Sequence, residues 1–117
     1  GGPPVLLDEF RAAMKEAGIE SVVDAAVEAY LGETPGRMEA LEVAVAAGDW
    51  KAVEREAHGI KSGARNIRAD VFGDLLEAVE QAGRDGQGAE VEAVLPELRT
   101  AYRQVMDFLK AQGSSAE

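Results

Sequence analysis

The tightest constraint on this chain lies in residues 50–69, WKAVEREAHGIKSGARNIRA. Apolar side chains fall at Val53, Ala57, Ile60, Ala64 and Ile67, in steps of four, three, four and three. That is the period of one face of an α-helix. At ~100° per residue the five share an arc of ~80°. His58 falls ~140° from the middle of that arc, so the same periodicity that buries the stripe turns the imidazole to solvent. Lys61, Ser62 and Arg65 follow it by three, four and seven positions on the same side, and Glu54 precedes it by one turn.

His58 is the chain's one histidine, and there is no cysteine. Disulfides, thiolate metal sites and histidine-based metal sites are therefore not expected. A lone histidine is ordinarily a surface or core residue without chemistry. Here the wheel argues against the core, and its neighbours argue for more than surface. Lys61 and Arg65 suit a negatively charged group on an imidazole nitrogen. Gly59, Ser62, Gly63 and Ala64 are small enough to admit a second protein. Each of the two glycines costs a helix roughly 0.8–1 kcal/mol relative to alanine, which implies close approach by a neighbouring helix or a partner.

The run AHGIKSGARNIRA resembles the signature of histidine-containing phosphotransfer (HPt) domains. Ala57, His58, Lys61, Asn66 and Ala69 match it, and Ile60 and Ile67 stand for its leucines. Two positions depart from it. The glycine often found four residues after the histidine is Ser62, with Gly63 following, and the later glycine is Arg68. A weaker match extends back through ETPGRMEALEVAVAAGDWKAVEREAH, where a helix, Gly-Asp and a second helix lead to the histidine.

The resemblance implies an all-α fold, an antiparallel up-down four-helix bundle with N-terminal helices, with the histidine exposed midway along one helix. It implies a phosphoacceptor, His58, that takes a phosphoryl group from the aspartate of a response-regulator receiver domain, or from a sensor or hybrid histidine kinase, and passes it to another receiver. Lys61 and Arg65 would steady the phosphoryl oxygens, and Gly59, Ser62, Gly63, Glu54 and Arg68 would meet the partner. Mg²⁺ would come from the receiver, so this chain needs no cofactor or metal of its own. Neutral imidazole is available near pH 7 and is nucleophilic without a strong local base. No motif binds ATP, so the chain would carry phosphoryl groups without kinase activity of its own. The rival reading is a docking module that uses the same face with no phosphoryl chemistry. A cleft enzyme is disfavoured, because no nucleophile–base pair emerges.

Charge distribution agrees with an acidic protein partner. The chain carries a formal net charge of −10, which argues against nucleic acid. Within 51–68, however, Lys51, Arg55, Lys61, Arg65 and Arg68 face only Glu54 and Glu56, so that segment is positive by three and the remainder negative by thirteen. No apolar run reaches the ~20 residues of a membrane helix, no secretory signal is visible, and a cytoplasmic monomer is the expectation.

The 117 residues suit one domain, with loose ends at 1–4 and 113–117. Asp8 is expected to cap a first helix reaching about Ala17, before Gly18. A second helix should run from about Ile19 to Leu31 and stop at Gly32. Thr34-Pro35 reads as the start of a third, ending near Ala47. Those first two would be the additional N-terminal helices beside the bundle. Asp49 should cap the histidine-bearing helix, with Trp50 packing where it meets its predecessor. Asp70 should open the next, with Phe72, Leu75, Leu76 and Val79 inward and Asp74, Glu77 and Glu80 outward. GRDGQG at 83–88 reads as a flexible connector. A last helix over about 89–111 should kink or restart at Pro96.

Overall fold

In a computed structural model of the chain, residues 2–18 and 21–115 are described, with side chains to 111. They form five helices and no strand: α1 (Leu7–Glu16), α2 (Ser21–Ala47), α3 (Trp50–Asn66), α4 (Asp70–Arg84) and α5 (Gly88–Ser115). Helix α3 packs on α2 and α4, and α5 packs on α4 and α2, while α1 lies against α2. The long axis, 43 Å, is about the length of a 28-residue helix such as α5. No helix among the described residues is long and apolar enough to cross a membrane.

The second and third expected helices are one. Helix α2 passes through Gly32 and Pro35 without a break. Proline in a helix interior forfeits a hydrogen bond and costs on the order of 3 kcal/mol, so something must outweigh the local stop signal. Val23, Tyr30, Thr34, Met38, Leu41 and Val45 are all buried on one stripe that runs through the proline. Burial of that stripe, at ~1.5–3 kcal/mol for each large apolar side chain, holds the two halves in register. One separate helix, not two, therefore precedes the long helices. Pro96 lies inside α5 in the same way, between buried Val91 and Leu95 on one side and Leu98 on the other, and no fresh start occurs there.

Other local expectations are corrected by packing. Helix α1 begins at Leu7 with no side-chain cap, and Asp8 stands in its first turn. The residues before it are anchored: Val5 is buried, and the Leu6 N–H donates to the Arg68 carbonyl at 3.0 Å. Residues 113–115 continue α5; Gly1, Ile19, Glu20, Ala116 and Glu117 lie outside the described residues. Gly83 belongs to α4, not to a loose connector. A Cβ there would stand 3.1 Å from the Glu54 nitrogen and 3.2 Å from the Trp50 carbonyl oxygen, so glycine lets α4 close on α3. Trp50 is half-buried with its ring against Gly88, at the start of α5, rather than only at the α2–α3 junction.

Three turns close alike. After α2, α3 and α4 the chain reverses through one left-handed residue: Gly48 (φ 66°), Arg68 (φ 64°) and Gly86 (φ 67°). In each the next N–H reaches back five residues, Asp49 to Ala44, Ala69 to Ala64 and Gln87 to Ala82, at 3.0, 2.9 and 2.8 Å. This is the Schellman arrangement, which favours glycine at its left-handed position. Arg68 therefore occupies a strained conformation where the HPt signature has glycine. Its guanidinium is tied to the Asp70 carboxylate at 3.3 Å.

Candidate functional site

Helix α3 presents the histidine as its periodicity requires. Asp49 caps the helix, its carboxylate accepting from the Ala52 N–H at 3.1 Å. Val53, Ala57, Ile60, Ala64 and Ile67 are all buried. The His58 side chain is 62% exposed, so an approaching molecule can reach the ring.

The residue that orients this ring is not the one that spacing along α3 suggests. Glu80, expected outside, is buried, with a side chain only 6% exposed. Its Oε2 lies 3.2 Å from His58 Nδ1. Lys61 Nζ stands 2.8 Å from Oε1 as an ion pair. Arg84 Nη2 donates to Oε2 at 3.1 Å. The signal was present but faint: Glu80 lies only ~40° beyond Leu76 on the α4 wheel, at the edge of the apolar stripe. A buried carboxylate is stable only when paired, and the cations of α3 and α4 meet that need. Burial alone would raise the Glu80 pKa; contacts with Lys61 and His58 more than reverse this and hold it below the ordinary 4.5. Reciprocally, hydrogen bonding to Glu80 raises the Lys61 pKa above its ordinary value.

This contact also selects a tautomer. A carboxylate can only accept, so Nδ1 carries the proton and donates it to Glu80. In the neutral ring the lone pair then lies on Nε2, the nitrogen away from the protein's acid, where a nucleophile is needed.

The other expected site residues take definite places. Arg65 turns toward α4, pairing with Asp74 at 2.8 Å and covering Gly73. Glu54 does not touch the ring; it pairs with Arg84 at 2.6 Å, which raises the guanidinium's pKa. The Ser62 hydroxyl donates to the His58 carbonyl at 3.1 Å, within the helix. Gly59 and Gly63 both face α2. A Cβ on Gly63 would meet the Tyr30 ring at 3.6 Å, and one on Gly59 would stand 2.9 Å from Arg37 Nη1. Arg68 lies in the turn beyond the helix, away from the Glu80 cluster. Among the described residues no group of three or more His, Asp or Glu side chains is placed to hold a metal ion.

The profile of the Hpt domain matches residues 25–108, and the chain belongs to that family, whose members carry out histidine phosphotransfer in phosphorelays with receiver domains and histidine kinases. The fold is similar to that of histidine-containing phosphotransfer protein B (HptB) from Pseudomonas aeruginosa PAO1, with a TM-score of 0.84 and 21% identity over 96% of each chain. No curated protein sequence matches it.

Proposed function

We propose that His58 is the phosphoacceptor, that its Nε2 takes a phosphoryl group from a receiver aspartate, and that the chain hands it to a second receiver. The observation that carries this reading is the Nδ1–Glu80 contact beneath an exposed ring. In the forward step the Nε2 lone pair attacks phosphorus in line, the N–P bond forms, and the bond from phosphorus to the aspartyl oxygen breaks. The carboxylate leaves with the electron pair. The ring, still protonated at Nδ1, becomes a phosphoimidazolium, and the buried Glu80 carboxylate balances its positive charge. Reversal of these steps on another receiver returns neutral imidazole.

Lys61 serves two ends in this scheme. It neutralises Glu80 at rest, and its ammonium, one turn from His58, is placed to shift toward phosphoryl oxygens. Arg65 is committed to Asp74 and acts on the phosphoryl group only through the general field of the face. Gly59, Ser62 and Gly63 line the α2–α3 groove beside the ring, whereas Glu54 is held by Arg84 and Arg68 by Asp70. The receiver brings Mg²⁺. The finer architecture is an up-down four-helix bundle of α2 to α5, supported by the two- and three-residue connectors and the pairwise packing of neighbours. Labelling by a phosphorylated receiver tests the assignment: wild type should gain an acid-labile phosphoryl group and His58→Gln should not.

A further inference from the structure

Around His58 the cations are mostly matched to carboxylates: Lys61 to Glu80, Arg65 to Asp74, Arg84 to Glu54. Arg37, on α2, is different. Its guanidinium rests against the histidine's own turn, with Nη1 2.9 Å from where a Gly59 Cβ would stand. No carboxylate pairs with it among the described residues. Glu33, one turn earlier and lining the same groove, makes no ion pair with it. Any side chain at position 59 would compete for this place, so the glycine keeps it open.

Arg37 borders a groove of about 290 Å³ between α2 and α3, lined also by Tyr30, Gly59, Ser62 and Gly63. Tyr30 is 5% exposed. Burial pushes its phenol well above the usual value, with a hydrogen bond to Thr34 offsetting only part of the shift, so the floor of the groove is uncharged. A free guanidinium at the mouth of a groove is a receptor for a carboxylate. The groove is at the lower limit of a small-molecule pocket and suits one or two side chains.

Resting on the phosphotransfer reading above, we infer that Arg37 is a docking residue for the receiver: it pairs with an acidic side chain that enters the α2–α3 groove and so sets the partner over His58. Glu80 and its cations hold the ring from the α4 side, and Arg37 grips the visitor from the α2 side.

The test uses a phosphorylated receiver domain that labels wild type at His58. Arg37→Lys, Arg37→Ala and Arg37→Glu should raise KM in that order, with Arg37→Ala about 3- to 10-fold above wild type. The rate at saturating receiver should be unchanged, and KM should become less sensitive to salt. Labelling by phosphoramidate, a phosphodonor with no docking surface, should be the same in all four proteins. An unchanged KM in Arg37→Glu would overturn the inference. So would an equal loss with phosphoramidate, which would put Arg37 on the phosphoryl group instead. Failure of the underlying reading is separate: it would appear as label persisting in His58→Gln.

Discussion

Replacing Glu80 by glutamine removes one charge and almost no volume, and the structure sets the size of the effect. Two cations and the imidazole surround the carboxylate: Lys61 at 2.8 Å, Arg84 at 3.1 Å and His58 at 3.2 Å. A hydrogen bond to a charged group is worth ~1.5–3 kcal/mol when its partners are shut away from water. The Arg84 side chain, 55% exposed, and His58, 62% exposed, regain hydration and lose little. Lys61 is only 17% exposed and loses most. Removing the desolvation of Glu80 itself returns part of the loss. The net expectation is a loss of about 1–2 kcal/mol, or roughly 4–10 °C in Tm for a chain of this size.

The pH dependence supplies the sign. The Glu80 pKa is lowered in the fold, so its contribution is complete above the unfolded value near 4.5 and disappears as pH falls through the folded value. Thermal melts at neutral pH should separate wild type from Glu80→Gln, and melts in progressively stronger acid should bring them together. The ring has its own readout. As His58 is the one histidine, ¹⁵N spectra report a single imidazole, which should be protonated at Nδ1 in wild type and in Glu80→Gln, whose amide oxygen can still accept. Glu80→Leu should lose that preference. Equal stability of wild type and Glu80→Gln at neutral pH, or a difference that grows in acid, would refute the argument.

Three further substitutions probe the packing. Gly83→Ala sets a Cβ against backbone atoms of α3 that cannot turn aside, so chemical denaturation should show a loss of about 1–3 kcal/mol. Gly32→Ala, with nothing within 4 Å of its Cβ, should gain about 0.5–1 kcal/mol by the same measurement. Arg68→Gly relieves a left-handed L-residue at the loss of an exposed pair with Asp70 and should raise stability by about 0.5–1 kcal/mol. A decrease there would mean that the ion pair outweighs the strain.

The histidine helix was legible because its evidence is local. The stripe from Val53 to Ile67, the Asp49 cap and the exposure of His58 all follow from spacing along one helix, and all are present. What was misread depends on neighbours distant in sequence. Gly32 and Pro35 do signal a break, but the stripe from Val23 to Val45 needs α3 and α5 to bury it, and that packing overrides the signal. Gly83 and Gly88 looked like loop glycines because the surfaces they make room for, α3 and the Trp50 ring, lie more than 25 positions away. Glu80 looked like one more outward acid among several. Its burial is explained only by Lys61 and Arg84, which converge on it from two helices. Lys61 and Arg65 are legible in the sequence as cations on the right face, but the carboxylate each meets is set by the packing of α4.

The central claim, that a phosphoryl group resides on the imidazole of residue 58, is tested most directly by mass spectrometry of the intact chain after exposure to a phosphorylated receiver. Wild type should gain one phosphoryl mass that acid removes and alkali does not, localised by fragmentation to the HGIK segment, and the gain should be absent from His58→Gln. A phosphoryl group on the glutamine variant, or on any other residue of wild type, would contradict the account.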